Sequence, residues 1–377
     1  MSNVIYCRLC QDRLPILPLL TYAGSPSSAQ GFLDHWEQTD ECVDLQIFEC
    51  ASCGHVQHVL APVSYYRDVI RAIAYSQDMA EFRKTQLAEW ICNYKLSKKR
   101  LLEVGCGRGE YLELLQQSGA EDLHGMESAN ESVNIARSLG FDVEVGYLDH
   151  HFKSPWALPF EAFAIFSFME HWPDLRGSLS ALRGVLIDGA PGLIEVPNYE
   201  FIQAHALYSE FTVDHIHYFN RKTLETALEL NGFEVISIKP IWHDYILSAE
   251  VRKRVCSSGE GFQKKLERIK LELHDFIDRF GSGEVVVWGA GHQALAVLSM
   301  ANLGDKVSHV VDSAEFKQNK FTPGTRYLIR SPSSIAHHRP SAIIIMAAAY
   351  SDEVARVIAS DYGYIRNIAI LREDCIE

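Results

Sequence analysis

A glycine-rich turn between two apolar segments limits the folds open to this chain more than any other feature. Residues 101–104 form a short, mostly apolar run, residues 105–109 read G-C-G-R-G, and residues 110–115 return to apolar positions at helical spacing. This order predicts a strand, a tight turn and the start of a helix. Glycines are needed there because the turn takes positive φ angles and because side chains would keep a ligand away from the main chain. The segment therefore predicts a ligand-binding βα unit, with a purely structural turn as the alternative.

A carboxylate follows this turn at a spacing that suits a nucleoside. A second strand is expected over residues 122–127, and it ends in Glu127, which is placed to accept both hydroxyls of a ribose. The dinucleotide fingerprint G-x-G-x-x-G would need a glycine where Glu110 stands. The run E-V-G-C-G-x-G instead resembles motif I of class I S-adenosylmethionine methyltransferases. That resemblance implies S-adenosylmethionine as cofactor, with a binding site formed by Glu103, Gly105, Gly107, Gly109, Glu127 and Phe168.

Apolar segments after the turn alternate between strand and helix patterns, which predicts an α/β fold with a doubly wound parallel sheet. The expected elements are a helix over 131–139, strands over 141–145 and 162–168, a helix over 175–186 and a strand over 193–196. Ligands of such sheets bind beyond the carboxyl ends of the strands. We therefore expect Glu127, the Glu170–His171 pair and Asn198 to surround one crevice.

Two C-x-x-C pairs near the start of the chain predict a metal site. Cys7 and Cys10 form the first pair, and Cys50 and Cys53 form the second. Each pair offers two thiolates from one tight turn, and four thiolates suit tetrahedral Zn²⁺. Because a four-thiolate site has no open position, we expect a structural ion rather than a catalytic one. Disulfides or free thiols are the alternative.

The elements around these pairs can also be predicted. Residues 23–33 are rich in Gly, Ser and Pro, which indicates a loop. Residues 45–48 and 56–60 are expected to be short strands. Ser76 is a suitable cap for a helix that reaches residue 94 and leads into the strand before the glycine turn.

Residues 211–219 carry more titratable side chains than a surface loop needs. Asp214, His215, His217 and Tyr218 lie within five residues of one another. Packing and internal hydrogen bonding would explain His217 or Tyr218 alone. The complete group predicts an active site.

A second α/β unit is expected near the end of the chain. Residues 284–291 read E-V-V-V-W-G-A-G, and Asp312 closes the next expected strand. This spacing imitates a dinucleotide site, but Ala294 replaces the third glycine and the signal is weak. Residues 251–280 are charged with helical periodicity, which predicts a linker helix between the two units.

Composition restricts the class of function. A chain of 377 residues is expected to form two or three domains. Its net charge of −14 argues against a nucleic-acid-binding surface, and no apolar run reaches the ~18 residues that span a membrane. The first residues lack a secretion signal, and nine cysteines without such a signal predict a reducing compartment, the cytoplasm.

Taken in order, these segments resemble the three-part sugar C-methyltransferases. That family joins a zinc domain, a class I methyltransferase domain and a Rossmann-like domain, which implies domains at 1–72, 73–250 and 281–377 with the linker helix at 251–280. The resemblance is carried by the four cysteines, the glycine turn, Glu195-Val-Pro, Asp214-His215-x-x-Tyr218-Phe, His243, Gly289-x-Gly291, Asp312, Lys317-Gln318 and Pro323-Gly324. It implies methylation of a carbon next to a ketone in a deoxysugar linked to a nucleoside diphosphate. It also implies that the sugar nucleotide lies between the central and C-terminal domains.

The resemblance further implies a mechanism. His215 would act as the base, Asp214 would orient it, and His171 or His243 would stabilise the oxygen of the enolate. The family commonly carries Tyr-His-Glu-His where residues 212–215 read Thr-Val-Asp-His. This departure leaves two alternatives open: a sugar O-methyltransferase that uses the same histidine on a hydroxyl, and a non-catalytic, zinc-stapled binding protein.

Overall fold

The computed structural model describes residues 4–29, 35, 41–66, 76–373 and 375–377. The chain divides into two compact units, Met1–Val255 and Cys256–Glu377. The described part of the first unit contains two sheets and that of the second unit contains one, and each unit has its own apolar core.

The first unit contains eleven strands and six helices among its described residues. In chain order they are β1 (Leu20–Pro26), β2 (Cys42–Glu49), β3 (Val56–His58), α1 (Gln77–Tyr94), β4 (Leu101–Val104), α2 (Glu110–Gln117), β5 (Leu123–Glu127), α3 (Asn130–Ser138), β6 (Asp142–Val145), β7 (Ala162–Phe166), α4 (Leu175–Gly184), β8 (Pro191–Pro197), α5 (Tyr199–Ala204), β9 (His217–Tyr218), α6 (Arg221–Leu230), β10 (Phe233–Ile241) and β11 (Ile246–Lys253).

The central sheet confirms the predicted doubly wound architecture. Its strand order is β10-β11-β8-β7-β4-β5-β6, and the strands from β4 to β8 run parallel. β11 is antiparallel to β8 and continues the sheet through the β10–β11 hairpin. α1, α2 and α3 cover one face, whereas α4 and α6 cover the other. β4 and β7 are completely buried, which explains why both segments are nearly continuous apolar runs.

Two elements of the first unit differ from the sequence prediction. The predicted loop over 23–33 belongs to β1 as far as Pro26, because these residues pair with β2 through an irregularity that spans Gly24. Residues 30–34 lie outside the described part of the chain. The strand predicted over 162–168 ends at Phe166, because Ser167 takes a φ of +46° and Met169–His171 form a 3₁₀ turn.

The small N-terminal sheet has an unexpected fourth strand. Its order is β1-β2-β3-β9, so a two-residue strand from far along the chain completes it. Tyr218 of β9 pairs with Val56 of β3. The segment predicted to carry the active site is therefore attached to the part of the chain that carries the cysteines.

The second unit is a smaller Rossmann-like domain. It contains α7 (Glu260–Ile277), β12 (Val285–Trp288), α8 (His292–Ala301), β13 (Val307–Val311), β14 (Ile329–Arg330), α9 (Ser334–His338), β15 (Ala342–Ile345), α10 (Ser351–Asp361) and β16 (Asn367–Ile370). The five strands are parallel, in the order β14-β13-β12-β15-β16. The predicted linker helix is shorter than 251–280, because β11 continues to Lys253. Ile269 and Leu273 of α7 pack into the core of this unit.

Among the described residues, no helix combines the length and the apolar character needed to cross a bilayer.

Candidate functional site

The glycine turn after β4 leaves open space next to its main chain. Gly105, Gly107 and Gly109 have φ angles of +72°, +57° and +96°, which only glycine adopts without strain. Within the described chain, a Cβ on Gly107 would meet only the flexible Glu110 carboxylate, 3.0 Å away. A Cβ on Gly105 would instead lie 2.5 Å from the Phe168 ring. Gly105 therefore admits Phe168, whereas Gly107 leaves room for a ligand.

Glu127 fastens this turn to the end of β5. One carboxylate oxygen, Oε2, accepts a hydrogen bond from the main-chain nitrogen of Gly107 at 3.1 Å. The other oxygen accepts from Ser128 N at 2.8 Å and from Ala129 N at 3.0 Å. Because a carboxylate oxygen has two lone pairs, Oε2 keeps capacity for a ribose hydroxyl. The turn and Glu127 therefore fit the nucleoside part of S-adenosylmethionine.

The two remaining residues predicted for the cofactor site lie in different surroundings. Glu103 is completely buried inside β4, whereas Phe168 follows β7 and is only slightly exposed. The Phe168 ring meets Tyr147 edge to face, with ring centroids 6.2 Å apart. The sequence prediction missed Tyr147. Its position just after β6, at the carboxyl edge where ligands bind, is the signal that would have revealed it.

The second part of the site brings together two segments that are distant in the sequence. Glu170 and His171 lie in the 3₁₀ turn after β7, and His215 lies just before β9. One ligand atom from each of these three residues lies within 4.8 Å of the others. The His171 and His215 rings meet edge to face, with centroids 4.8 Å apart. The structure thus places His171 beside His215.

His215 is a neutral and accessible ring at physiological pH. Burial, together with the neighbouring His171, lowers the pKa of His215 to about 3, against an opposing effect of Asp214. The ring is only partly buried, and neither of its nitrogens is hydrogen-bonded to a described residue. His215 can therefore accept a proton from a bound molecule.

Asp214 contacts its neighbours in a way that the sequence prediction did not anticipate. Its main-chain oxygen accepts a hydrogen bond from His171 Nδ1 at 2.8 Å. Its side-chain Oδ1 accepts from the Tyr65 hydroxyl at 2.6 Å. Asp214 therefore acts on His215 through charge rather than through a side-chain hydrogen bond.

His243 lies in the strained turn of the β10–β11 hairpin. Trp242, His243 and Asp244 have consecutive φ angles of +46°, +57° and +64°. Three successive non-glycine residues in this region are strained, and such strain persists where surrounding contacts impose it. Asn198 supplies such a contact by donating a hydrogen bond to Asp244 O at 2.7 Å. His243 is exposed, and no described contact joins it to His171 or His215.

Tyr245 is a second residue of this site that the sequence prediction did not assign. Its hydroxyl donates a hydrogen bond to Glu210 Oε2 at 2.6 Å. Burial and the charges of Glu210 and Glu170 raise the pKa of Tyr245. The phenol therefore stays protonated. It lies near Glu170, which together with His171 and His215 forms the group that we call the histidine cluster.

The four cysteines form a compact group that can hold a metal. The Sγ atoms of Cys7 and Cys53 are 3.7 Å apart, and those of Cys10 and Cys50 are 3.6 Å apart. A tetrahedral site with Zn–S bonds of about 2.3 Å has sulfur–sulfur edges of about 3.8 Å, so the group fits Zn²⁺. Burial raises the pKa of the Cys7 thiol to about 11.

The main chain forms the same turn after each cysteine pair. The amide of Gln11 donates to Cys7 O at 3.0 Å, and the amide of Gly54 donates to Cys50 O at 2.8 Å. Gln11 and Gly54 also share a positive φ, +64° and +74°. Both turns therefore present their thiols in the same way.

In the second unit, Gly289 and Asp312 of the segment that resembles a dinucleotide site contact other residues of their own domain. A Cβ on Gly289 would lie 2.4 Å from the main-chain oxygen of Met346. Asp312 accepts hydrogen bonds from Ala290 N at 2.8 Å and from Lys317 Nζ at 3.0 Å. The Asp312 carboxylate, which would bind a ribose in a dinucleotide site, thus stabilises the loops that follow β12 and β13.

Two family models match successive parts of the chain. A model described as a methyltransferase domain matches residues 77–238, and a model described as a C-methyltransferase C-terminal domain matches residues 246–362. This order of domains is that of a multi-domain sugar C-methyltransferase family. Neither match covers the two C-x-x-C pairs at residues 7–10 and 50–53. No curated protein matches the chain.

Solved structures with similarity to this chain include three methyltransferases. An S-adenosylmethionine-dependent methyltransferase from Mesorhizobium loti is 15% identical, with a TM-score of 0.36, over 45% of this chain and 99% of its own. One from Clostridium acetobutylicum ATCC 824 is 13% identical, with a TM-score of 0.39, over 50% and 96%. Magnesium protoporphyrin IX methyltransferase from Synechocystis PCC 6803, solved with SAH, is 13% identical, with a TM-score of 0.38, over 47% and 84%.

Proposed function

Because this chain is an S-adenosylmethionine-dependent methyltransferase of the multi-domain sugar C-methyltransferase type, we propose that it methylates a carbon next to a ketone in a nucleotide-linked sugar. The observation that carries the proposal is the C-methyltransferase C-terminal domain, matched directly after the methyltransferase domain. The histidine cluster at the carboxyl edge of the central sheet supports it, because carbon attack needs a base next to the cofactor.

The cofactor would be held by the glycine turn and by the residues around it. The main chain at Gly107 lies along the open space, Glu127 accepts a ribose hydroxyl, and Phe168 covers the turn. When bound, S-adenosylmethionine supplies an electrophilic methyl group and leaves as S-adenosylhomocysteine. The protein contributes alignment of the two reactants, which accounts for a large part of such rate enhancements.

His215 would remove the proton from the carbon next to the ketone. Its neutral ring can accept that proton, and the charge of Asp214 favours the imidazolium that results, against the opposing effects of burial and His171. The electron pair of the C–H bond becomes the enolate and then forms the new bond to the methyl carbon. The proton therefore stays on His215 until solvent removes it.

The oxygen of the enolate needs a hydrogen-bond donor. His171 donates from Nδ1 to Asp214 O at 2.8 Å, and its Nε2 lies 3.9 Å from Glu170 Oε1, so both ring nitrogens already lie beside acceptors of the protein. His243 in the strained turn is exposed and can donate to substrate. Of the two histidines considered for this role, we therefore favour His243.

Deuterium exchange separates carbon from oxygen methylation. The enzyme is incubated in heavy water with 4-keto sugar nucleotides, first without and then with S-adenosylmethionine. A C-methyltransferase should wash deuterium into the position next to the ketone and then add a methyl group there. A methyl ether formed without deuterium exchange would overturn carbon methylation and establish the O-methyltransferase alternative.

A further inference from the structure

The cysteine lobe, which comprises the described residues before α1, is attached to the segment that carries the candidate base. β3 pairs with β9, so Gln57 lies opposite His217. In addition, the amide of His58 donates to Ile216 O at 3.3 Å, and the His58 ring contacts Val213 O at 3.0 Å. Main-chain bonds from the lobe therefore begin one residue after His215.

Two buried histidines connect the second cysteine pair to the turn that carries His171. His217 Nε2 donates to Trp172 O at 2.8 Å, because a carbonyl oxygen can only accept. His217 Nδ1 then accepts from His55 Nε2 at 2.9 Å. Both rings are almost completely buried. Since His55 follows Cys53 by two residues and Trp172 follows His171 directly, two hydrogen bonds span from the metal site to the catalytic turn.

Two further lobe residues reach the same two segments. Arg8, which lies between the cysteines of the first pair, donates to Pro173 O at 3.3 Å and to Leu60 O at 3.1 Å. Tyr65 donates to the carboxylate of Asp214 at 2.6 Å. The two catalytic segments are also joined to each other, because the amide of Ile216 donates to Glu170 O at 2.9 Å. The lobe therefore holds both sides of the histidine cluster.

We propose that the cysteine lobe is a positioning element of the active site, and that Arg8 and the His55–His217 pair align His215 with the substrate. The identity of the reaction rests on the proposed function, but the positioning role does not. A reacting group misplaced by about 1 Å can lose on the order of 10²-fold in rate. A metal ion bound by the four cysteines would thus affect the geometry of methyl transfer as well as the stability of the lobe.

The test compares His217→Leu with His217→Gln in the full-length, metal-loaded protein. Leucine removes both hydrogen bonds, whereas the glutamine amide retains one donor and one acceptor. We expect leucine to lower kcat on the order of 10- to 10²-fold while KM and the Kd of S-adenosylmethionine change less than about threefold. Glutamine should restore most of the rate. The matched control is His309→Leu, because His309 is also buried and contacts Ser334 in the second unit.

Amide hydrogen exchange supplies a readout that does not depend on turnover. The Ile216 amide should lose protection in His217→Leu and keep it in His217→Gln and His309→Leu. Unchanged Ile216 protection together with unchanged kcat would overturn the proposal. Loss of protection throughout the first unit without rescue by glutamine would also overturn it, because that pattern indicates a merely structural role.

Should His217→Leu not fold, Arg8→Ala replaces it, since Arg8 is only partly buried. Failure of the wild type to exchange or methylate any 4-keto sugar would overturn only the proposed function.

Discussion

His171 and Asp214 are joined by a hydrogen bond of 2.8 Å from the ring nitrogen Nδ1 to a main-chain carbonyl oxygen, across 43 positions in the sequence. Because the carbonyl can only accept, this bond requires a ring proton on Nδ1 of His171 and so fixes the orientation of the ring. The same bond holds the turn after β7 against the segment before β9. The geometry around His215 therefore depends on a contact that neither segment could form alone.

Removal of one thiolate should release the metal and destabilise the first unit alone. Elemental analysis of wild type should give about one zinc per chain, and Cys10→Ser should lower that value. Because metal binding contributes to folding free energy, the unfolding transition of the first unit should move to lower temperature. The second unit has a separate core, so its transition should stay in place. Cys256→Ser, which changes an exposed thiol, is the control, and full zinc content in Cys10→Ser would contradict the site.

Gly105 and Phe168 should show strong coupling in a double-mutant cycle. Gly105→Ala places a Cβ 2.5 Å from the Phe168 ring, so it should destabilise the first unit severely. Combining it with Phe168→Ala removes the clash, but the φ of +72° still costs about 1–2 kcal/mol. Urea unfolding of the four proteins measures the coupling, and additive effects would show that the ring does not occupy this space.

Local patterns were sufficient to predict most of the elements, and the predictions of the two ligand sites rest on the same kind of pattern. The cap at Ser76, the glycine turn and the cysteine pairs each depend on residues within a few positions of one another, so their chemistry is visible in the sequence. The doubly wound sheet followed from the alternation of apolar strands with amphipathic helices. The boundary errors arose where strand pairing decided the outcome, as at Pro26 of β1.

Long-range pairing was outside the reach of the sequence. The group Asp214, His215, His217 and Tyr218 was predicted as one active site, but the structure divides it. His217 contacts His55 at 2.9 Å, and the Tyr218 hydroxyl contacts Thr212 O at 3.3 Å. Both side chains are buried within the protein, which is the packing role that the sequence left open. Contacts with residues far away in the sequence, such as His55 beside β3 and Trp172, hold His217 in the interior.

Glu127→Ala should weaken the binding of S-adenosylmethionine. The change removes charge-assisted hydrogen bonds worth roughly 1.5–3 kcal/mol, which corresponds to about tenfold to a hundredfold in Kd for S-adenosylmethionine. It also frees the Gly107 amide from its carboxylate acceptor. Calorimetry measures the effect, with the exposed Glu131→Ala as control. Equal Kd values for the two variants would place the cofactor elsewhere.

Arg83 and Glu195 form a completely buried ion pair at 2.5 Å between α1 and β8. Arg83→Met alone leaves an uncompensated carboxylate in the core and should cost about 3–5 kcal/mol in the free energy of unfolding. The double variant with Glu195→Leu removes both charges, so much of that loss should be recovered. Denaturant unfolding of the first unit measures both. A double variant less stable than Arg83→Met would show that Glu195 stabilises the fold through its hydrogen bonds from Gln86 and Ser248 rather than through Arg83.

The pH dependence of the reaction tests His215 directly. A histidine in an unfolded chain has a pKa of about 6.5, whereas that of His215 is lowered to about 3 in the folded protein. The neutral ring is the base, so kcat/KM, which reports the free enzyme, should stay level as the pH falls from 8 through 6.5 to 5. Folding stability should decline over the same range, because His215 binds a proton below pH 6.5 in the unfolded state but only below about pH 3 in the folded state.

His215→Ala should abolish deuterium exchange and lower the rate on the order of 10²–10⁴-fold. His243→Ala removes only a donor to the enolate oxygen, so it should cost about 10²–10³-fold and leave exchange measurable. An acid limb near pH 6.5 that persists in His215→Ala would assign the base to another residue, while the fold and the cofactor site would stand.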